Sequence, residues 1–417
     1  MPGNATGSVL VCFMVFILSA AWLAAPDDVE GSEFRFQPTL VLSEEYNDNV
    51  FLTPENGIDD YITTVSPSLH LLYNAPFWDW DVDYKYLYRY YADTADKTDS
   101  SHTLSLANRN RIIKDVLFLN VRDDYTRVSL DVTRDYTQES NVVNQSDRNI
   151  VTVNPYFVLR PTSQMTVTAG YSYLSTWYRD PAAVDSTDHI GAVDLTQDLS
   201  PRSSVIAGFK YTYDENNLGG YTRDDVYLGQ HYEYADNSMI TATIGNSWFD
   251  FERTARATQV FWDVVVTHRY PTVTISYETG LRNIPDPLRG LRREDRYVVT
   301  IRRDVERTSL LISGGIREYR DAEFKHLENT SYRLNGAVSH AVTTTSKILL
   351  DLTTERLVDN RTGADIDRYL TGVRYEYVSM ENLTLALDYR YTNVYSPDVY
   401  AVNYFNNRFT VELRKVF

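Results

Sequence analysis

Strict alternation of apolar and polar residues, repeated many times from Phe34 onward, is the feature that most limits how this chain can fold. In 78–91, one set of alternate residues begins Trp78, Trp80, Val82 and continues as tyrosines, and the other begins Asp79, Asp81. Successive side chains of a β-strand point to opposite faces, so each such segment predicts a strand in a sheet with two different faces. No linker interrupts the pattern, and one all-β domain is therefore predicted over 34–417.

The two faces suit a lipid bilayer on one side and water on the other. The apolar face is often aliphatic in the middle of a segment and aromatic at its end, as in 383–392, where Leu383, Leu385 and Leu387 precede Tyr389 and Tyr391. Aliphatic residues facing hydrocarbon, with aromatic girdles at the headgroups, are typical of transmembrane β-barrels. The chain also has 33 Tyr, a residue suited to the boundary between apolar and wet surroundings.

The alternating segments number about 20, with a range of 18 to 22. Short connections such as Pro161–Ser163 and Glu306–Arg307 alternate with longer acidic or Asn-rich ones such as Glu45–Asp60, Tyr136–Asp147 and Asp214–Asp224. This pattern predicts an antiparallel transmembrane β-barrel with short periplasmic turns and long extracellular loops. The fold alternative is a soluble β-sandwich or propeller, which would bury the Leu/Val/Tyr face and dissolve without detergent.

The first 25 residues have a different composition. Ser8–Ala25 is the only long apolar run, small residues near Ala20 offer a cleavage site, and no Lys or Arg precedes the run. We interpret 1–25 as a signal peptide, 26–33 as a short periplasmic segment and 34–417 as the barrel, exported to the outer membrane of a diderm bacterium. The alternative for the leader is an uncleaved membrane anchor.

Composition and motifs exclude several functions. The net charge of −17 argues against nucleic-acid binding, and the only cysteine, Cys12, lies in the leader, which excludes disulfide frameworks and thiolate chemistry in the mature chain. The seven histidines are scattered without HExxH spacing, and no G-x-S-x-G motif or nucleotide loop occurs. The sequence therefore predicts no catalytic residues, no cofactor, no metal site and no enzyme. A barrel enzyme with a Ser/His or Asp/His cluster near one rim stays as an alternative.

The face opposite the apolar one carries charges of both signs, which predicts a polar lumen with weak ion selectivity or a partial plug. Asp79, Asp81 and Asp83 form a ladder of carboxylates, read either as partners of neighbouring cations or as a stripe that binds cations or sugars. The lumen-facing candidates are Asp79, Asp81, Asp83, Lys85, Arg89, Glu278, Arg282, Arg302, Asp304, Arg374, Glu376, Asp388, Arg390, Glu412 and Arg414.

Aromatic residues divide between the two faces by parity. The predicted lipid-facing girdle comprises Trp78, Trp80, Tyr84, Tyr86, Tyr88, Tyr211, Tyr213, Tyr389 and Tyr391. Inward aromatics are fewer, and Tyr156, Tyr227 and Phe261 are the candidates for stacking on sugar rings.

Four features together carry a resemblance to a family. They are the signal peptide, the segment Ser43–Phe51 with its element YNDNVF (Tyr46–Phe51), the Leu-x-Pro turns at Pro161 and Pro201, and an alternating last strand that ends in Phe417. The chain resembles outer-membrane β-barrel porins encoded with exopolysaccharide and PEP-CTERM (exosortase) loci. The resemblance implies a role in polysaccharide passage or secretion and supplies no catalytic residues.

The function expected from these features is passive passage through a porin-like pore or through the barrel component of an exopolysaccharide export system. The alternative is a non-conducting scaffold barrel that docks secretion partners. The expected partners are outer-membrane lipid, lipopolysaccharide, the barrel-assembly machinery, for which Phe417 is the candidate signal, and possible polysaccharide and export-system proteins.

Overall fold

The computed structural model describes residues 32–133, 139–140, 143–252, 256–380 and 382–417. The predicted signal peptide, Cys12 and residues 26–31 lie outside these ranges. The described chain forms twenty strands, which confirms the predicted count. They are β1 Glu33–Asn47, β2 Asp60–Asn74, β3 Trp78–Tyr91, β4 Asp99–Ile113, β5 Leu117–Ser129, β6 Gln145–Thr162, β7 Met165–Tyr178, β8 Ser186–Ser200, β9 Ser203–Asn216, β10 Tyr221–Ala235, β11 Ser238–Phe251, β12 Ala257–Arg269, β13 Val273–Asp286, β14 Gly290–Val305, β15 Thr308–Asp321, β16 Leu327–Ala341, β17 Ser346–Asp359, β18 Asp365–Met380, β19 Leu383–Tyr395 and β20 Tyr404–Val416.

The strands close into one antiparallel barrel. Each strand pairs with the next along the chain, and β20 pairs with β1 from Thr39↔Val416 to Asn47↔Arg408. Closure gives every strand two neighbours and leaves no sheet edge with unpaired backbone groups. The predicted fold class is therefore confirmed.

The two ends of the barrel differ. At one end, here called the turn end, short connections join the strands, and Asp115, Asn237, Glu306 and Asn382 adopt the positive φ angles that tight hairpins require. The start of β1 and the end of β20 also lie at this end. The longer connections gather at the opposite end, here called the loop end.

One predicted loop is shorter than expected. The segment Asp214–Asp224 was expected to be a loop, but β9 continues to Asn216 and β10 begins at Tyr221. Its charged residues belong to the strands: Asp214 pairs with Tyr221 across the hairpin, and Arg223 lies 2.9 Å from Asp225. Charged residues therefore mark the ends of strands that continue past the apolar band, and the polarity alone does not mark a loop.

Three small apolar clusters lie at the loop end. Their buried members are Val50, Ile62 and Tyr91; Leu52, Val394 and Tyr404; and Leu130, Tyr178 and Ala183. Each cluster combines residues of a connecting loop with residues of the strands around it. The core of this protein is therefore a set of contacts between loops and barrel wall.

Within the described residues, no helix is long and apolar enough to cross a membrane.

Candidate functional site: the interior of the barrel

Contacts from one loop identify which face of the sheet turns inward. Glu139 and Ser140 belong to the connection between β5 and β6, yet Glu139 forms an ion pair with Arg368 of β18, far away around the ring. The hydroxyl group of Ser140 donates to the carbonyl oxygen of Val50, 3.1 Å away. Such contacts cross the interior, so the face of the sheet that carries Arg368 is the inner face.

The interior is tightly packed at the loop end. Arg368 is 3% exposed and also bonds Glu355 at 3.0 Å. The buried Arg292 donates two hydrogen bonds, of 2.8 and 3.2 Å, to one carboxylate oxygen of Glu328. Because buried charges are costly unless they are paired and hydrogen bonded, these pairs fix their partners in place: Arg368 joins the β5–β6 connection and β17 to β18, and Arg292 with Glu328 joins β14 to β16.

Connecting loops also contact one another across this end. The backbone N–H of Val184 donates to the carbonyl oxygen of Pro287, 2.6 Å away, and joins the β7–β8 and β13–β14 connections. At the rim, the Tyr400 hydroxyl donates to the Glu55 carboxylate at 2.6 Å, and this hydrogen bond raises the pKa of Tyr400. The loops thus form a cap over the barrel.

The turn half of the interior is open by comparison. Side chains there that belong to the inner face keep large exposed fractions: 56% for Asp81, 64% for Asp83, 59% for Arg302 and 56% for Asp304. Charged groups this exposed inside a closed barrel require water around them. The interior is therefore a hydrated chamber below a packed cap.

The strand register places all fifteen predicted lumen residues on the same face as Arg368. Most contact a charged neighbour, and the ion pairs within 4 Å are as follows: Asp79 contacts Arg111; Asp81 and Asp83 contact His70; Arg89 contacts Asp99; Arg282 contacts Glu294; Arg302 contacts Asp304; Arg374 contacts Glu376 and Glu412; Glu376 also contacts Lys347; Asp388 contacts Arg390; and Glu412 contacts Arg414. Lys85 and Glu278 lie on the inner face and form no ion pair among the described residues. Of the three carboxylates in the Asp ladder, Asp79 is therefore paired with an arginine, whereas Asp81 and Asp83 contact a histidine.

The nine predicted girdle aromatics occupy the opposite face. Trp78 and Trp80 lie near the turn end, and Tyr211, Tyr213 and Tyr391 lie toward the loop end. Trp78, Tyr88 and Tyr211 are each about two-fifths exposed on the isolated barrel. His102 and His189 join this belt, since each accepts or donates a hydrogen bond with a tyrosine hydroxyl at 2.7 and 2.6 Å. Contact of this face with lipid stays a prediction.

An aromatic and basic groove lies on the inner wall of β3–β6, in the turn half. Phe118 and Tyr156 stack with ring centroids 5.1 Å apart, and the Arg109 guanidinium lies 5.2 Å from the Phe118 ring and donates to the Tyr156 hydroxyl at 3.2 Å. Arg109, Asn120, Arg122 and Tyr156 border a cavity of about 510 Å³, and the buried Phe118 ring supports the Tyr156 ring. A flat ring beside hydrogen-bonding groups is a surface on which a sugar ring can pack.

The segment Tyr46–Phe51 is hydrogen bonded to the last strand along the seam where β1 pairs with β20 and the barrel closes. Asp48 accepts hydrogen bonds from the backbone and side-chain nitrogens of Asn407 at 2.7 and 2.6 Å. Asn406, which is fully buried, donates to the side chain of Asn47 and to the backbone of Asn49. The segment therefore contributes hydrogen bonds between the first and last strands.

The last residue, Phe417, continues this seam at the turn end. Its backbone N–H donates to the carbonyl oxygen of Pro38 at 2.9 Å, and its side chain is exposed. Its recognition by the barrel-assembly machinery stays a prediction.

Two structural features were missed by sequence reasoning. One is the inward position of Glu139 and Ser140 in the β5–β6 connection, whose partners lie far away in the sequence. The other is His70, which stands on the inner face opposite Asp83. The period-2 parity of β2 is the signal that places His70 inward, but only the register of the hairpin shows which residue faces it.

The fold is similar to those of several solved bacterial receptors. A mutant of the ferric enterobactin receptor PfeA from Pseudomonas aeruginosa superimposes with a TM-score of 0.56 and 10% identity, over 92% of this chain and 81% of that one. The FrpB iron transporter from Neisseria meningitidis gives 0.52 and 8%, over 91% and 82%. The siderophore receptor PirA from Pseudomonas aeruginosa gives 0.52 and 10%, over 92% and 80%.

These likenesses concern the fold, which is that of outer-membrane β-barrels. No family model matches the sequence. A search of curated proteins likewise gives no match.

Proposed function

We propose that this chain is an outer-membrane β-barrel for the passage of hydrophilic solutes, either a porin-like pore or the barrel of an exopolysaccharide export system. The observation that carries the proposal is the hydrated, charged inner wall of the turn half, where Asp83 and Arg302 keep most of their side chains in contact with solvent. A barrel interior filled only for stability would leave no such space. Outer-membrane orientation puts the turn end in the periplasm.

The aromatic groove supports a carbohydrate as the solute. The Tyr156 ring borders the groove, and Arg109, Asn120 and Arg122 offer hydrogen-bond donors beside it. Mixed inner-face charges, paired as in Arg374 with Glu376 and Glu412, give the wall little net preference for ions of one sign. Size and sugar affinity would then select the solute.

One observation favours a second function, a non-conducting scaffold barrel. A scaffold barrel would be closed by the packed cap at the loop end, where the buried Arg368 pairs with Glu139 of the β5–β6 connection. The two functions differ in whether this cap opens. A pore whose cap opens part of the time reconciles the hydrated chamber with the packed end.

Single-channel recording of the refolded barrel in a planar bilayer tests the proposal. We expect discrete conductance steps that neutral oligosaccharides block. The variant Tyr156→Ala should shorten each block several-fold, whereas Tyr211→Ala, an aromatic of the opposite face, should leave it unchanged. Protein that shifts on a heat-modifiability gel, and is thus folded, but remains silent in the bilayer would overturn the open-pore proposal and favour the scaffold.

A further inference from the structure

One group of metal-ligating side chains on the inner wall lies apart from the pairs that arginines and lysines form with carboxylates. His70 of β2 stands directly opposite Asp83 of β3, and Asp81 is its diagonal neighbour. The His70 Nδ1 atom lies 2.9 Å from an oxygen of Asp83 and 3.7 Å from an oxygen of Asp81. Ligand atoms of all three residues fall within 4.8 Å of one another, close enough to share one ion.

These two carboxylates differ from the others on the same wall. Asp79, which precedes Asp81 by two residues on the same face of β3, accepts two hydrogen bonds from the Arg111 guanidinium. Within the described part of the chain, the only basic side chain within 4 Å of Asp81 or Asp83 is His70, and no arginine or lysine lies that close. Two carboxylates on the same strand face thus repel each other without a permanent cation between them.

We propose that His70, Asp81 and Asp83 bind a divalent ion of the first transition row, with Zn²⁺ as the best-suited probe. One imidazole nitrogen with two carboxylate oxygens is a donor set for Zn²⁺ or Mn²⁺, whereas Mg²⁺ and Ca²⁺ prefer oxygen ligands alone. The two carboxylates balance the charge of the ion. Three protein ligands leave coordination positions open to water or to a passing solute in the lumen.

Both strands belong to a continuous sheet, so the ligands sit on rigid elements. The pairing of β2 with β3 places His70 opposite Asp83. Asp81 points to the same face as Asp83 because side chains alternate along β3. A site on a barrel wall needs little reorganisation to bind an ion. The site faces the turn half of the interior, where water has access.

The structure contains a second His/carboxylate group that serves as a control. Asp321, His326 and Glu328 also lie close together. There, however, Glu328 is already paired with Arg292 and Arg289, and Asp321 accepts backbone N–H groups of Glu323 and Phe324. Its carboxylates are satisfied, so we expect no ion to bind at this second group.

Isothermal titration of Zn²⁺ into tag-free, chelator-washed, refolded barrel tests the proposal. We expect one saturable site per chain and weaker binding, by roughly tenfold or more, in His70→Ala, His70→Asn and Asp83→Asn, since each removes one of three ligands. His326→Ala should bind like the unchanged protein. Mg²⁺ should not compete.

Each variant is first checked for the heat-induced gel shift of a folded barrel, and two His70 variants guard against a change that prevents folding. Absence of saturable Zn²⁺ binding to the folded protein would refute the site. Equal binding by the unchanged protein, His70→Asn and Asp83→Asn would refute it as well. Neither result depends on whether the barrel conducts, so this test is separate from that of the proposed function.

Discussion

Individual glycines decide where aromatic rings can lie on the inner wall. Gly208 faces Tyr227 on the next strand, whose ring covers the glycine and whose hydroxyl donates to Asp194. Gly245 holds the Phe261 ring in the same way. A glycine on one strand thus makes room for a ring from its neighbour, and these rings tie adjacent strands together without filling the lumen.

The substitution Gly208→Ala tests this arrangement. A Cβ atom at position 208 would overlap the Tyr227 ring and the Asp194 carboxylate, so we expect a loss of about 1–3 kcal/mol in unfolding free energy. Denaturant unfolding in detergent measures it. Gly191→Ala is the matched control, because its Cβ would meet no atom within 4 Å, and it should be neutral or stabilising. Equal losses in both variants would contradict the role assigned to Tyr227.

The β5–β6 connection is the element on which the cap depends. Glu139 ties it to Arg368, Ser140 ties it to Val50, and Val143 packs against the cluster of Leu52, Val394 and Tyr404. These contacts reach three consecutive strands, β18, β19 and β20, and the β1–β2 connection. Releasing this loop would therefore loosen the cap more than releasing a loop that contacts only its own hairpin.

The substitution Glu139→Gln weakens the contact between residue 139 and Arg368 and leaves the Arg368–Glu355 ion pair in place. Removing one partner of a buried charge pair costs about 3–5 kcal/mol in other proteins, and the amide retains part of the contact. We expect the open fraction in single-channel records to rise roughly tenfold. Glu412→Gln changes a carboxylate of the turn end and should leave the open fraction unchanged. An unchanged open fraction in Glu139→Gln would place the gate elsewhere.

The elements themselves were predictable from the sequence, and their contacts across the interior were not. Alternation depends on neighbours two residues apart, and this local rule yielded the strands, their number and their faces. The Arg368–Glu139 pair and the His70–Asp83 pair depend on the closed ring and on hairpin register. A one-residue slip would reverse every face, so such pairs require the three-dimensional structure.

At the scale of the whole molecule, the interior is asymmetric along the barrel axis. Buried polar groups such as Asp60, Asp225 and Thr392 gather toward the loop end, whereas Asp304 and Asp351 of the turn half are exposed. Charged loops and wall residues neutralise one another where water is scarce, and charges stay solvated where it is not. The molecule is therefore a chamber that opens toward the turn end.

Cysteine accessibility in cells tests this asymmetry together with the orientation in the membrane. The only natural cysteine is Cys12, which the predicted signal cleavage removes. A single introduced cysteine would therefore be the only one that a maleimide can label in the mature chain. Asp351→Cys and Thr392→Cys both lie on the inner face, one exposed and one 4% exposed. We expect a membrane-impermeant maleimide to label Asp351→Cys when it reaches the periplasm and to label Thr392→Cys far more slowly.

On intact cells, where the reagent meets the capped loop end, neither should react quickly. Rapid labelling of Asp351→Cys from outside would mean that the cap is open at rest, and the closed-chamber account would then fail while the barrel fold stands.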